Sequence, residues 1–176
     1  LQAGIIEFKA KAGSAVVLDA LTGEVLAMVN QPSADPNIHG LRKPEFFKNR
    51  SVTDQLEPGS AFKTLTVATA LENGIYKPES TIDTTPFKIG TKLIGDDRCQ
   101  GELDLEMILV RSCNAGAAKI SLAIKQEIFC DTLIKLGIGE ITASGFPGEA
   151  RGELGCYENW RSIKQATLSY GYGVSV

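Results

Sequence analysis

The sequence predicts an α+β fold in which one β-hairpin is followed by several helices. Two apolar, β-branched runs flank a glycine-containing turn near the start of the chain, which is the pattern of a hairpin. After the hairpin, segments with apolar residues at helical spacing predominate among the predicted elements. The 176 residues are 43% apolar and 22% charged, the balance of a globular protein long enough to bury a core.

The hairpin is predicted at residues 14–30, where "SAVVLDA" and "VLAMVN" lie on either side of "LTGE". The segment that follows, "QPSADPNIHGLRKPEFFKNR", is rich in proline, asparagine and glycine, which predicts a surface loop. This loop contains His39, the only histidine of the chain.

The next element is predicted to be a helix that starts between residues 58 and 60 and stops at residues 73–74, an Asn-Gly pair. Leu65, Ala68 and Leu71 fall on one stripe at helical spacing and are predicted to face the core. Several threonines give this helix a weak intrinsic propensity, so it needs burial in order to form.

The rest of the chain is predicted to be irregular up to about residue 101 and then mostly helical. "ELDLEMILV" predicts a helix with Leu103, Met107 and Val110 facing inward. "RSCN" interrupts this helix, and further helices are predicted in "AGAAKISLAIKQ" and "IFCDTLIKLGIG". The last segment, "ENWRSIKQATLSYGYGVSV", carries a turn rich in glycine and tyrosine.

Charge and hydropathy exclude several classes of function. The net charge is −3 and basic residues form no stripe, which argues against binding to nucleic acid or to anionic lipid. The apolar runs are too short to cross a bilayer, and the first residues lack the order of a signal peptide. Because the chain does not begin with Met, we expect it to start inside a longer gene product, with any membrane anchor upstream.

The cysteines are predicted to be four free thiols rather than disulfides, because a domain of this size does not depend on covalent cross-links. They are Cys99, Cys113, Cys130 and Cys156. Their spacing contains no C-x-x-C, and with a single histidine in the chain we predict no zinc site, no other metal and no cofactor.

Ser60 and Lys63 form the only S-x-x-K of the chain, and they are candidates for a nucleophile and its base. One histidine in a proline-rich loop makes a Ser-His-Asp triad improbable, whereas a desolvated lysine loses its proton more easily and can activate a serine. Residues i and i+3 of a helix share a face, and the helix N-terminus favours a developing oxyanion. Taken alone, the motif fits a helix cap and a solvated lysine better, because S-x-x-K arises often by chance.

Ser112 and Asn114 form an S-x-N motif between two predicted helices. A hydroxyl and a carboxamide two residues apart in a tight turn can face one cleft, where the serine relays a proton and the amide holds a peptide group. The structural alternative is a helix end at which Ser112 caps the next helix.

Longer matches surround both motifs. "GSAVVLDALTGEVLAMVNQPSADPN", "NRSVTDQLEPGSAFK", "LEMILVRSCNAGAAKISLAI" and "WRSIKQATLSYGYGVSV" together resemble the transpeptidase domain of class B penicillin-binding proteins, most of all the division-associated enzymes of the penicillin-binding protein 3 type. The resemblance covers nearly all of the chain. It implies a β-lactamase/transpeptidase-like fold, with an antiparallel sheet flanked by helices.

The resemblance also implies a function, a peptidoglycan D,D-transpeptidase on the periplasmic face of a bacterial inner membrane. In that family the serine matched by Ser60 attacks the penultimate D-Ala carbonyl of a stem peptide, and the lysine matched by Lys63 accepts its proton. The serine matched by Ser112 passes the proton to the departing D-Ala, and the residue matched by Asn114 holds the substrate. The implied partners are stem peptides ending in D-Ala-D-Ala, β-lactam antibiotics and membrane proteins of the division machinery.

Three departures from the family pattern stand out. Ala61 is found where the family usually has Thr, and Cys113 where it usually has Ser. No K-T-G or K-S-G occurs in the chain, and the family carries that motif on a strand beyond the Tyr-Gly-Tyr-Gly segment. We therefore expect residues 1–176 to be the front part of a transpeptidase domain, with an incomplete sheet and weak or no acylation by β-lactams when isolated.

Two other functions remain open at this stage. A serine β-lactamase or β-lactam sensor shares S-x-x-K, and a β-lactamase needs a deacylating glutamate, for which Glu149 and Glu153 are candidates by residue type only. Solvated loop carboxylates are the more usual role for such residues. An inert scaffold of the division machinery is the non-enzymatic alternative, provided that the chain ends natively at Val176.

Overall fold

The computed structural model describes residues 1–35, 37–38, 43–155 and 157–176. His39 and Cys156 lie outside these residues, so the predictions made for them are not addressed by the structure. In the part of the chain that is described, no helix has the length and apolar character needed to cross a membrane. The chain divides into two compact units, Leu1–Gln55 with Ala143–Ala150 and Leu56–Thr142 with Arg151–Val176.

The smaller unit is built on a β-hairpin. Its elements are α1 (Gln2–Glu7), β1 (Gly13–Leu18), β2 (Val25–Gln31), a 3-10 turn (Pro44–Phe46) and α2 (Arg50–Thr53). The two strands pair antiparallel with a register irregularity after Val17. Asn30 joins the hairpin to the start of α2, because its amide donates to Asn49 Oδ1 (2.9 Å) and its Oδ1 accepts from the Ser51 N–H (3.0 Å).

The larger unit combines helices with short antiparallel strands, as an α+β fold requires. Its elements are a 3-10 turn (Gly59–Ala61), α3 (Phe62–Glu72), β3 (Thr81–Asp83), β4 (Phe87–Ile89), β5 (Lys92–Ile94), β6 (Glu102–Asp104), α4 (Leu105–Val110), α5 (Asn114–Ala123), α6 (Gln126–Lys135), a 3-10 turn (Tyr157–Asn159) and α7 (Ser162–Leu168). Strand β3 pairs with β6, and β4 pairs with β5. Helix α3 packs against α4, α5 and α6, and α5 packs against α7.

The first turn of α5 carries only small buried side chains and approaches the Ile108 side chain of α4. Ala115, Gly116, Ala117 and Ala118 are all buried. A methyl group built on Gly116 would come within 2.9 Å of the Ile108 side chain on α4. Small residues at a contact let two elements approach closely, and here they leave room for the Ile108 side chain.

The predicted inward stripes of two helices were only partly right. On α3, Leu65 and Leu71 pack against the core, but Ala68 is exposed, and the fully buried positions include Lys63, Thr66 and Thr69. These threonines are tolerated in the interior because their hydroxyls are satisfied; that of Thr66, for example, donates to the Ser169 carbonyl (2.8 Å).

In the next predicted helix, Leu103 packs against the core and Met107 is half-buried, but Val110 is 70% exposed, and the buried residues are Leu105 and Ile108. The predicted helix "ELDLEMILV" begins with strand β6, so the helical face of α4 is counted from Leu105 rather than from Leu103.

The prediction of four free thiols was also wrong. Cys99 and Cys113 form a disulfide with a Cα–Cα distance of 5.8 Å, and both residues are fully buried. The size of a domain says whether it needs a cross-link but not whether folding brings two cysteines together. Cys130 lies buried on α6, apart from this disulfide.

The Gly/Tyr-rich turn near the end of the chain packs on the start of α3. The Gly59 N–H donates to the Gly171 carbonyl (3.2 Å), and Glu57 Oε1 accepts from the Gly173 N–H (2.7 Å). Gly171 has a φ of +82°, and a methyl group on it would overlap the backbone of Gly59. A glycine is therefore required at Gly171 for both its conformation and its space.

We expect Gly171→Ala to destabilise the protein by about 3 kcal/mol or more, since it combines a left-handed backbone with a backbone overlap. Gly90→Ala is the matched control, because Gly90 also has a positive φ of +60° but has no atom within 4 Å of the added methyl group. It should cost only about 1 kcal/mol. Chemical unfolding followed by circular dichroism measures both, and equal losses would contradict the packing argument.

Candidate active site

Ser60 lies in the 3-10 turn that leads into α3, and the residue is exposed. Pro58 sets the chain direction with a helical φ of −68°, and Gly59 turns it with a φ of +60°. The N-terminal region of α3 follows at once, where the first N–H groups have no partner inside the helix. The Ser60 hydroxyl is thus accessible and lies at the positive end of a helix of 11 residues.

Lys63 is buried in the first turn of α3, with only 1% of the residue exposed. Its Nζ donates to Ser60 Oγ (3.1 Å), to Ser112 Oγ (2.9 Å) and to the Ser112 carbonyl oxygen (2.7 Å). An ammonium group has three N–H donors, so these three acceptors use all of them. The predicted helical spacing of Ser60 and Lys63 therefore produces direct contact between the two side chains.

Burial lowers the pKa of Lys63 to about 8, because removal from water disfavours the charged ammonium. The negative charge of Asp96 opposes this shift, and the positive charge of Arg98 adds to it. A lysine with this pKa is partly neutral at physiological pH, so it can accept a proton from a neighbouring hydroxyl.

Ser112 completes a hydrogen-bonded triangle with Ser60 and Lys63. Its Oγ donates to Ser60 Oγ at 2.9 Å and also accepts from Lys63. The structure therefore brings three of the four predicted site residues into one network, although 52 positions separate Ser60 from Ser112.

The backbone of Ser112 occupies the position at which a helix usually ends with glycine. The Cys113 N–H donates to the Ile108 carbonyl (2.9 Å) and the Ser112 N–H to the Leu109 carbonyl (3.0 Å), which together form a Schellman motif at the end of α4. The motif requires a left-handed residue, and Ser112 has a φ of +57°. This conformation turns the Ser112 carbonyl toward Lys63, so one residue supplies two of the acceptors of the ammonium.

Asn114 is the first residue of α5 and is half-buried, two residues beyond Ser112. Its backbone N–H donates to Asp96 Oδ2 (2.8 Å). The structural alternative, in which Ser112 caps α5, is wrong, because the residue at the N-cap position is Cys113. The carboxylate of Asp96, from the loop between β5 and β6, accepts the first helical N–H instead.

Sequence reasoning missed Asp96, Glu57 and Gly171. Asp96 contacts the S-x-N turn (residues 112–114) from 18 positions away, and Glu57 contacts Gly173 across 116 positions. Neither pairing has a local signal, because the contacts depend on how distant segments meet. The two glutamates considered as candidates for a β-lactamase are surface groups in the structure. Glu149 accepts hydrogen bonds from Ser144, and Glu153 is exposed.

Comparisons with known proteins agree with one another. A family model described as the penicillin binding protein transpeptidase domain matches residues 13–176. The "Probable peptidoglycan D,D-transpeptidase PenA" of Neisseria flavescens is 44% identical over 176 residues, which is all of this chain and 44% of that protein. "Peptidoglycan D,D-transpeptidase FtsI" of Escherichia coli (strain K12) is 40% identical over 168 residues, or 96% of this chain and 29% of that protein.

Solved structures give the same result for the fold. A peptidoglycan glycosyltransferase from Burkholderia ambifaria superposes with a TM-score of 0.89 and 39% identity, over all of this chain and 52% of that one. The transpeptidase domain of penicillin-binding protein 3 from Burkholderia pseudomallei gives 0.88 and 39%, over all of this chain and 49% of that one. These likenesses confirm the predicted fold class, and the chain spans about half the length of the solved chains.

The glycine-type position of Ser112 can be tested with a matched pair of variants. Ser112→Ala and Ser112→Gly remove the same hydroxyl, but only glycine relieves the left-handed backbone. We expect the free energy of unfolding of Ser112→Gly to be about 1 kcal/mol higher than that of Ser112→Ala. Urea unfolding of both variants measures the difference. Equal stability would contradict the assignment of Ser112 to the C-terminal position of the motif.

Proposed function

Because this chain belongs to the penicillin-binding protein transpeptidase family, we propose that it carries the acylation centre of a peptidoglycan D,D-transpeptidase. In this proposal residues 1–176 are part of one transpeptidase domain, Ser60 is the nucleophile and Lys63 is its general base. The observation that carries the proposal is the position of Lys63 Nζ, within hydrogen-bonding distance of both Ser60 Oγ and Ser112 Oγ.

The first half of the reaction acylates Ser60. A neutral Lys63 accepts the hydroxyl proton while Ser60 Oγ bonds to the penultimate D-Ala carbonyl carbon of a stem peptide. The N-terminal region of α3 stabilises negative charge that develops on the carbonyl oxygen. When the C–N bond breaks, the terminal D-Ala leaves as an amine, which takes its proton from Lys63 by way of Ser112. The product is an ester of Ser60.

The second half transfers the acyl group. The amine of a neighbouring stem peptide attacks the ester carbonyl and loses a proton to the same Ser112 and Lys63 pair. As the ester C–O bond breaks, Lys63 returns that proton to Ser60 Oγ, which leaves as a hydroxyl, and the new amide is the cross-link. Asn114, at the start of α5 beside this pair, is proposed to hold the peptide backbone of the substrate. β-Lactams are proposed to acylate Ser60 by the same first half, because their strained amide presents an equivalent carbonyl.

We also propose a periplasmic location and association with membrane proteins of the division machinery. The disulfide between Cys99 and Cys113 supports the location, since disulfides persist in oxidising compartments such as the bacterial periplasm. The similarity to FtsI of Escherichia coli supports a role in division.

Labelling of the full-length protein with a fluorescent penicillin tests the nucleophile. We expect one adduct per chain, located at Ser60 by mass spectrometry of proteolytic peptides, and none in Ser60→Ala. Ser51→Ala, which alters a serine of the smaller unit, should label normally. Turnover of the β-lactam with rapid release of product would indicate a β-lactamase instead, and labelling at another residue would exclude Ser60.

The pKa of Lys63 predicts how acylation depends on pH. Since the neutral amine is the active form, the acylation rate should rise with pH through a midpoint of about 8 and level off above it. Lys63→Arg keeps the charge but does not release a proton, so the rate should fall by about 10²–10⁴-fold. Stopped-flow acylation between pH 6 and pH 10 checks both, and a rate that is flat through that range would contradict the assigned base.

A further inference from the structure

We propose that Asp96 and the Cys99–Cys113 disulfide are positioning residues for the acylation step, which together hold the S-x-N turn against Lys63. The inference rests on the proposed function, because it assumes that this turn takes part in acyl transfer. The loop between β5 and β6, and Cys113 in the middle of the S-x-N motif, then have a role in positioning Ser112 and Asn114.

The disulfide joins this loop to the S-x-N turn at its central residue. Cys113 lies between Ser112 and Asn114, and its side chain is part of the hydrophobic core, where it is fully buried with Cys99. The bond closes a separation of 14 residues that includes β6 and α4. The disulfide therefore attaches the loop directly between Ser112, proposed to relay the proton, and Asn114, proposed to hold the substrate.

Asp96 gives the same loop a second attachment one residue further along. Its Oδ2 accepts the Asn114 N–H at 2.8 Å, and its Oδ1 accepts the Arg98 N–H at 3.2 Å, so the carboxylate is oriented by its own loop. A carboxylate at the N-terminus of a helix is stabilised by the free N–H groups and by the helix dipole. Asp96 thus holds the first N–H of α5 and restrains the position of Asn114.

The S-x-N turn needs such restraints because it does not hold its shape unaided. Ser112 has a left-handed backbone without being glycine, a conformation that persists only where surrounding contacts impose it. If Ser112 relaxed to a right-handed conformation, its carbonyl would turn away from Lys63 and the ammonium would lose one of its acceptors. The disulfide and Asp96 constrain the two residues that follow Ser112.

The loop also acts on Lys63 through its charges. Asp96 raises the pKa of Lys63 and Arg98 lowers it, so the two charged groups that shift this lysine both belong to the 95–101 loop. Displacement of the loop therefore changes both the position of the turn and the protonation of the base.

The experiment measures acylation by a fluorescent penicillin in the full-length protein for Asp96→Asn, Asp96→Glu and a Cys99→Ala/Cys113→Ala double variant. Asp97→Asn is the matched control, since Asp97 is the exposed neighbour in the same loop and loses the same charge. Rates are taken at a temperature at which circular dichroism shows each variant to be folded. The acylation rate constant is separated from the initial binding constant by varying the concentration of penicillin.

We expect Asp96→Asn to lower the acylation rate constant on the order of tenfold, the size expected for loss of a charge-assisted hydrogen bond, with little change in initial binding. Asp96→Glu should recover part of the loss. The pH midpoint should move lower in Asp96→Asn and higher in Arg98→Gln, a shift that a purely structural role would not cause. The double cysteine variant should also lose acylation, and combining it with Asp96→Asn should add little, because both act on one turn.

Three results would overturn the proposal. The first is an acylation rate for Asp96→Asn equal to that of Asp97→Asn with an unchanged pH midpoint. The second is a folded double cysteine variant that acylates at the wild-type rate while melting at a lower temperature. The third is a combined variant, Asp96→Asn with both cysteines replaced, whose loss of acylation equals the full sum of the two separate losses. Absence of labelling at Ser60 in the wild-type protein would instead contradict the proposed function, so the two failures are distinguishable.

Discussion

The arrangement of the larger unit depends on one buried cation, the ammonium group of Lys63. Burial of an unpaired ammonium costs several kcal/mol, so the folded state has to supply acceptors for each of its N–H groups. Ser60 supplies one from the preceding turn, and Ser112 supplies two through its hydroxyl and its carbonyl. The same burial that demands these contacts also lowers the pKa of Lys63 to about 8 and makes the lysine usable as a base.

The need to bring Ser112 to Lys63 explains features that are otherwise unrelated. The small residues at the start of α5, among them Gly116, leave room for Ile108 of α4 just beyond the turn that holds Ser112. The turn ends α4 in a Schellman motif, in which Ser112 takes a position that ordinarily holds glycine. With serine at this position the folded protein is less stable than it would be with glycine. The chain nevertheless has serine here, where its hydroxyl donates to Ser60 Oγ.

Prediction succeeded where the information was local. The helix expected after Ser60 is present, and the i, i+3 spacing of Ser60 and Lys63 brings their side chains into contact. It failed where a face or a pairing depended on distant segments. Ala68 was assigned to the core by periodicity, yet the buried face of α3 is defined by the partners of Lys63 and Thr66. The disulfide was rejected on the ground of domain size, which carries no information about whether Cys99 and Cys113 meet.

The amino-acid sequence by itself determined the fold class, the S-x-x-K and S-x-N pairs and the family, because these rest on residue type, spacing and extended similarity. Only the tertiary structure decided that Ser112 adopts a left-handed backbone, that Asp96 caps α5 at Asn114 and that Cys99 bonds Cys113. The physical reason is that helical spacing places residues three or four apart on one face, whereas contacts across 14 to 52 positions depend on how whole elements pack.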